Sequence, residues 1–273
     1  MRAKMRTEFI KMHGLGNDFV VLDAREGGVP SVDAAFARAI ADRRTGIGCD
    51  QLVLLSASQR ADVEMRIFNP DGGEVAACGN ATRAVALLLG RDCRIETQDR
   101  ILEAKLRDGG ASVDMGAPRF GWDEIPLAYA IDTLAMPVGW EELDQPSAVD
   151  VGNPHVIFFV DDCDAVPLDR LGPLIETDPL FPERINVNVA AVEGPGRIRL
   201  RVWERGAGLT RACGTGACAT AVAAIRRKLV ASPVTVALPG GELEIAWTPG
   251  HSIRMTGPAT ESFRGSFEWE AFA

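Results

Sequence analysis

Two cysteines, Cys78 and Cys213, occupy matching places in a chain that repeats itself. A shift of 135 residues lays Met65 to Ala86 on Leu200 to Ala221 without a gap, MRIFNPDGGEVAACGNATRAVA against LRVWERGAGLTRACGTGACATA. Identical pairs include Arg66/Arg201, Gly73/Gly208, Ala77/Ala212, Cys78/Cys213, Gly79/Gly214 and Ala84/Ala219. A second echo, at a shift of 136, sets Gly16 to Val21 against Gly152 to Ile157 and so pairs Asn17 with Asn153. Two echoes at nearly one shift, close to half the chain, indicate an internal duplication.

In both copies the cysteine opens an alanine-rich segment of helical pattern, Thr82 to Leu89 and Ala217 to Leu229. A helix N-terminus carries unpaired N–H groups and partial positive charge, which favour a thiolate over a thiol of pKa about 8.5. The glycine after each cysteine leaves space for an anion such as a carboxylate against those N–H groups. One such cysteine alone is more often a buried structural thiol. A matched pair points to acid/base work: one protonated and one deprotonated group can remove a proton from one face of a carbon and return one to the other. The expected chemistry is racemisation or epimerisation. The substrate is expected between the two copies, its carboxylate held by both helix starts, whose N–H groups absorb charge as the α-carbon becomes carbanionic.

The elements that must position these thiols are legible in outline. Strands at Val63 to Phe68 and Ile198 to Trp203 lead through glycine-bearing loops into the two helices, and Gly90 is placed to stop the first. A further helix is expected over Ser31 to Arg44, capped by Ser31, with Val32, Ala35, Phe36, Ala39 and Ile40 on its apolar face. Other strands are expected at Val20 to Leu22, Gln51 to Leu55, Ile95 to Lys105, Ser112 to Met115, Val156 to Val160, Val234 to Leu238 and Leu243 to Trp247. Asp108-Gly109-Gly110 and Pro239-Gly240-Gly241 read as hairpin turns. Strands follow strands more often than they alternate with helices, so the class is α+β. The duplication divides the chain into domains over residues 1–121 and 122–261, with a C-terminal strand in 262–273 returning to the first. Gly121 to Gln145 reads as the crossing.

Composition narrows the function. The chain has 273 residues, 47% hydrophobic and 25% charged, enough for a large core without metal or disulfide staples. A net charge of −9 argues against sequence-independent nucleic-acid binding. No apolar run is long enough to span a bilayer, and the first residues lack the apolar core of a signal peptide, so a cytoplasmic protein with reduced thiols is expected. The six cysteines form no Cys-x-x-Cys pair and there are three histidines, which disfavours a zinc module. Lys4, Lys11, Lys105 and Lys228 are the only lysines, few candidates for a pyridoxal Schiff base.

These residues also carry a resemblance. KMHGLGNDF (11–19), RRTGIGCDQ (43–51), RIFNPDGGEVAACGN (66–80), GNPH (152–155), INV (185–187) and RVWERGAGLTRACGTGACA (201–219) resemble the diaminopimelate epimerase family. The resemblance implies two pseudo-symmetric domains, each a curled, mostly antiparallel sheet around a central helix. It also implies a homodimer working in lysine and peptidoglycan precursor biosynthesis, without metal or pyridoxal phosphate. The implied reaction interconverts LL- and meso-diaminopimelate, with Cys78 and Cys213 as the acid/base thiols. Asn17, Gln51, Asn69, Asn153, Asn186 and Arg205 match the family's substrate-holding residues. Gly79 with Asn80, and Gly214 with Thr215, match its cradle for the reacting carboxylate; Glu204 and His155 match a pair that tunes the thiols. An amide-rich set with one guanidinium suits a substrate bearing ammonium and carboxylate at both ends.

Two positions depart from the family's pattern. Ala81 stands where glycine often follows Cys-Gly-Asn, and Gly73 where serine is common; neither is expected to abolish activity. Cys49, Cys93, Cys163 and Cys218 are read as structural thiols. The rival readings are a proline-type racemase of the same superfamily and a binding protein switched by a Cys78–Cys213 disulfide.

Overall fold

The computed structural model describes residues 5–75 and 78–272; Ala77, one of the matched pairs of the repeat, lies outside them. The chain forms two compact units, one of Met1–Val113 with Gly257–Ala273, the other of Asp114–Thr256. In the first, the strands Arg6–Gly14, Asn17–Asp23, Gln51–Ser56, Val63–Phe68, Cys93–Glu96, Ile101–Arg107 and Gly110–Asp114 pair in that order. Successive pairings are antiparallel, parallel, antiparallel, parallel, antiparallel and antiparallel. The second unit repeats that order through Ser147–Asp150, Pro154–Phe159, Asn186–Gly194, Arg197–Glu204, Val234–Leu238, Gly241–Ala246 and Arg254–Pro258. The duplication read from Cys78 and Cys213 therefore extends to the whole pairing scheme, and each unit is α+β.

Parallel neighbours cannot be joined by a hairpin, so each parallel step needs a crossover. Helices fill them: α1 (Ala34–Ala41) and α2 (Gly79–Leu89) in the first unit, α3 (Leu168–Glu176) and α4 (Gly214–Arg226) in the second. Immediately before α2 and α4, the short strands Glu74–Val75 and Gly208–Thr210 fold back on Val63–Phe68 and Arg197–Glu204. This aims the following cysteine from the end of a strand into a helix.

α2 and α4 are the central helices. α2 packs on strands Arg6–Gly14, Ile101–Arg107 and Cys93–Glu96, and α4 on Ser147–Asp150, Pro154–Phe159 and Gly241–Ala246. α2 is buried from Asn80 to Ala86, and α4 is buried over nearly all its length. A helix covered on all sides is mostly apolar all round, alanine letting the surrounding strands approach closely, and the buried polar residues of α2, Asn80, Thr82 and Arg83, are each hydrogen-bonded. α1 and α3 are amphipathic instead. Phe36, Ala37 and Ile40 of α1 join Val20, Leu22, Leu52 and Phe68, while Leu168, Leu171 and Ile175 of α3 join Val156, Phe158, Val187 and Val189. The C-terminal strand Thr260–Glu268 pairs antiparallel with Arg6–Gly14, and Trp269 beyond it stacks on Phe36 at 3.9 Å.

Several boundaries differ from expectation for local reasons. α1 starts at Ala34, capped by Asp33, whose Oδ1 accepts from the Phe36 N–H at 2.8 Å, rather than by Ser31. It stops at Ala41, where the N–H groups of Ile47, Gly48 and Cys49 bond back to the carbonyls of Ile40 and Ala41. The stretch Ile95 to Lys105 is a hairpin of Cys93–Glu96 with Ile101–Arg107, turned by bonds from the Thr97 N–H and hydroxyl to the Arg100 carbonyl. α2 and α4 begin a turn earlier than the sequence pattern indicates, at the residues directly after the cysteines. The expected turns form two-residue hairpins, with Arg107 opposite Gly110 and Leu238 opposite Gly241. The segment Gly121 to Gln145 lies inside the second unit, where Ile125, Leu127, Met136 and Leu143 are buried in its core. No helix among the described residues is long and apolar enough to cross a membrane.

Candidate active site

Cys78 is the N-cap residue of α2, with extended backbone (φ −143°, ψ 113°), and Cys213 is the N-cap of α4 (φ −116°, ψ 106°). Both thiols therefore stand at helix starts, as the repeat requires, but their surroundings differ. The Cys78 side is half-buried, and its Sγ lies 3.8 Å from Asn17 Oδ1. Cys213 is 3% exposed; its Sγ accepts from the Gly216 N–H at 3.3 Å and contacts the Thr215 hydroxyl at 3.5 Å. Burial, with the Glu204 carboxylate beside it, pushes the Cys213 thiol well above its ordinary range, against the Thr215 and Gly216 hydrogen bonds that pull it down. The sequence reading expects a helix start to favour the thiolate. At Cys213 desolvation and a neighbouring negative charge outweigh two or three partial charges, so this sulfur is set to hold its proton.

Space around Cys213 depends on Gly216. A Cβ there would come 3.2 Å from the sulfur and 3.0 Å from Val202 Cγ2. The equivalent position in α2 is Ala81, fully buried within the helix.

In the first unit the remaining candidates stand at strand ends. Asn17 begins its strand and accepts at Oδ1 from Asn80 Nδ2 (3.2 Å), while its own Nδ2 donates to Asp50 Oδ2 (3.1 Å). Gln51 begins the next strand and donates through Nε2 to Asn69 Oδ1 at 3.1 Å; its Oε1 is buried without a protein partner. Asn69 is held in the loop after Val63–Phe68 by bonds of its N–H to the Gly73 carbonyl and of its carbonyl to the Gly72 N–H. Gly79 and Asn80 form the first turn of α2.

In the second unit Asn186 begins its strand, donates to the Pro154 carbonyl (2.8 Å) and accepts from the Arg205 N–H (3.0 Å). Arg205 also donates through Nη1 to the Glu183 carbonyl. Glu204 ends its strand and accepts from the Thr210 hydroxyl. Gly214 and Thr215 open α4. His155 is fully buried, and burial drops it to about 4, against the pull of Asn188 and Asp150. A neutral ring has one N–H. Asn188 commits its NH2 to the Gly216 carbonyl (3.0 Å) and the Thr220 hydroxyl (2.9 Å), so its Oδ1 takes the His155 Nδ1–H at 3.2 Å. Nε2 then carries no hydrogen and can only accept, so the Asn153 amide 3.1 Å away, with its O and N exchanged, gives it an NH2. His155 thus links Asn153 to the first turn of α4, while Glu204 is the group that acts on the Cys213 thiol directly.

Sequence reasoning missed Asp50, Arg83, Asn188 and Glu176. Glu176, 5% exposed, accepts from Trp203 Nε1 (2.7 Å) and the Gly206 N–H (3.0 Å) and so fixes the loop that carries Arg205. Asp50 and Asn188 sit within or beside quoted motif stretches, and Arg83 interrupts an apolar helix, which was the available signal; Glu176 left none.

Three comparisons bear on this site. The sequence model of the diaminopimelate epimerase family matches residues 9–121 and 147–261. A diaminopimelate epimerase of Erythrobacter litoralis is 65% identical over 97% of this chain and 98% of its own, and that of Zymomonas mobilis 57% identical over 98% and 100%. Among solved structures, a phenazine biosynthesis protein of the PhzF family from Bacillus anthracis aligns with a TM-score of 0.69 at 16% identity, covering 96% of this chain and 99% of that one. A hydroxyproline epimerase from Agrobacterium vitis aligns at 0.66 and 17%, covering 97% and 93%; at such identities the likeness is one of fold.

Proposed function

Because the chain belongs to the diaminopimelate epimerase family, we propose that it interconverts LL- and meso-diaminopimelate by proton exchange between two thiols, Cys78 and Cys213. The observation that carries this is positional: each cysteine caps the central helix of its repeat, at the same place in the same pairing scheme. In the forward direction one sulfur, as thiolate, takes the α-proton, and the other, as thiol, gives its proton to the opposite face. The centre is inverted, the two sulfurs have exchanged protonation states, and the reverse reaction runs on that exchanged pair. The charge that develops on the substrate's carboxylate as the α-proton leaves is stabilised by the N–H groups of the first turns of α2 and α4, at Gly79, Asn80, Gly214 and Thr215.

Burial and Glu204 favour the thiol form of Cys213 at rest, the form that donates a proton. Asn17, Gln51, Asn69, Asn153, Asn186 and Arg205 hold the substrate; the unpartnered Gln51 Oε1 is an acceptor suited to an ammonium group. Asn153 is kept in place by His155. No redox or pyridoxal chemistry is needed for this scheme. The protein is taken to act as a homodimer in the cytoplasm.

Incubating the reduced protein with LL-diaminopimelate in deuterated water tests the reading: deuterium should appear at the α-carbon as the meso isomer forms. Cys78→Ala or Cys213→Ala should abolish turnover, and Cys93→Ala should not. Absence of α-deuteration under reducing conditions sinks the two-thiol scheme, and sedimentation of the active species tests the dimer.

A further inference from the structure

In the first unit four side chains form a hydrogen-bonded line. Arg83 Nη2 donates to Asn80 Oδ1 (2.8 Å), Asn80 Nδ2 donates to Asn17 Oδ1 (3.2 Å), and Asn17 Nδ2 donates to Asp50 Oδ2 (3.1 Å). The two ends decide the direction of everything between them. A guanidinium can only donate and a carboxylate can only accept, so neither amide can be reversed without placing like groups against each other at one end. Both ends are themselves fixed. Arg83 is fully buried and also donates to the carbonyl of Pro258. Asp50 accepts from Arg43 Nη2 (2.7 Å) and the Asp18 N–H (3.1 Å), while its own N–H donates to Asp18 Oδ1 (3.0 Å). Asp18 in turn is gripped by Arg43 and Lys11, which, against the effect of burial, hold its carboxyl at about 2.

The consequence falls on Cys78. With its NH2 committed to Asp50, Asn17 must turn its oxygen toward the sulfur, 3.8 Å away. We infer that Asp50, acting through Asn17, is a positioning residue that keeps a carbonyl oxygen, and not an NH2 group, on the Cys78 sulfur. A carbonyl oxygen accepts from S–H and opposes a thiolate; an NH2 would do the reverse. It therefore counters the pull of the α2 start and leaves Cys78 basic enough to accept a proton from carbon. The line is no relic of the duplication. At the matching positions of the second repeat Asp50, Asn80 and Arg83 are replaced by Ile185, Thr215 and Cys218, and only Asn17 has an asparagine counterpart, Asn153. There the sulfur instead receives the Gly216 N–H. The bearing on turnover rests on the two-thiol reading; the orientation of Asn17 does not.

The test follows alkylation of Cys78 by iodoacetamide against pH, read by peptide mass spectrometry, which needs no substrate and so fails or succeeds apart from the epimerase reading. Among the described residues, charged groups touching the line include Arg83 on α2, Lys11 and Asp18 on the first hairpin, and Arg43 after α1, and all stay in place. In Asp50→Ala only the 3.2 Å bond from Asn80 Nδ2 still holds the Asn17 oxygen in place, and with that weaker hold the Cys78 midpoint should move to lower pH by roughly half a unit or more, with Cys49, the buried neighbour of residue 50, still unreactive. Asp50→Asn, which keeps an acceptor toward Asn17 and the Asp18 N–H while losing the charge, should restore the midpoint. In an Asn17→Ala background Asp50→Ala should add nothing. An unmoved midpoint in folded Asp50→Ala overturns the inference, as does an equal shift in Asp50→Asn, or a shift that survives without Asn17. Should Asp50→Ala not fold, NMR of the unmodified protein decides: the Asn17 side-chain NH2 should show contacts to the Asp18 amide proton, and contacts to the Cys78 side chain in their place refute it.

Discussion

At Gly216 the absence of one methyl group governs what the Cys213 sulfur can reach. A Cβ there would press on Cys213 Sγ and Val202 together, so Gly216→Ala is expected to lower turnover by on the order of tenfold to a hundredfold, the scale on which small misplacements of reacting groups act. The matched change in the first repeat runs the other way: Ala81→Gly should leave turnover near normal and cost about 0.5–1 kcal/mol of stability from helix entropy. Steady-state rates beside urea melts of both variants check the pair. Glu204 is a second lever. Its negative charge raises the Cys213 thiol, so Glu204→Gln should lower the pH at which the Cys213 S–H Raman band is lost, and an unchanged midpoint would remove Glu204 from that role. The two thiols, and the pairing of Asn17 with Asn153, were legible from the spacing of the repeat, whereas Gln51, Asn69, Asn186 and Arg205 stood out only through the resemblance to a known family. Asp50 and Arg83 were not legible, since their importance lies in partners 33 residues away for Asp50 with Asn17 and 175 residues away for Arg83 with Pro258. No pattern along the chain reports such a distance.

Among the elements, the start of α1 shows how local signals compete. Ser31 and Asp33 are both good caps by type, and the chain uses Asp33, whose Oδ1 takes the Phe36 N–H. Asp33→Ala should therefore cost about 1 kcal/mol in a denaturation midpoint, and Ser31→Ala close to nothing. Equal effects would mean that the cap is shared. Hairpins joined by Asp108-Gly109 and Pro239-Gly240 were readable because a two-residue turn states its own chemistry. The break inside Ile95 to Lys105 was not, because Thr97 and Arg100 close that turn with ordinary backbone bonds rather than a glycine. The pairing order of the strands was also out of reach: parallel steps are set by where a crossover helix lands, a tertiary event.

For the whole molecule, the buried imidazole links stability to pH. His155 falls from 6.5 to about 4 in the folded state, so the unfolded chain takes up its proton first. Its stabilising effect is complete above 6.5 and is lost as pH falls through that window toward 4, amounting to about 3 kcal/mol at most. Melting temperatures across this range should fall more steeply for the unaltered protein than for His155→Gln. Connectivity makes a further demand. Because Thr260–Glu268 and Trp269 belong to the first unit, a fragment ending at Thr256 should retain slow hydrogen exchange in the strands from Ser147 to Ala246 and lose it in Arg6–Gly14. Retained protection in Arg6–Gly14 would show the last strand to be dispensable.

That same pairing of Arg6 with Glu268 has a meaning for how the protein is made. A chain leaves the ribosome from its N-terminus, at roughly 5–20 residues each second. The strand Arg6–Gly14 thus waits for a partner translated only after every strand of the second unit. The unit begun second has all its strands in hand while the one begun first is still open along Arg6–Gly14, so birth order and completion order are reversed. During that interval the waiting edge, with Phe9 and Ile10 uncovered, is an open row of backbone donors and acceptors of the kind that invites mispairing with other chains.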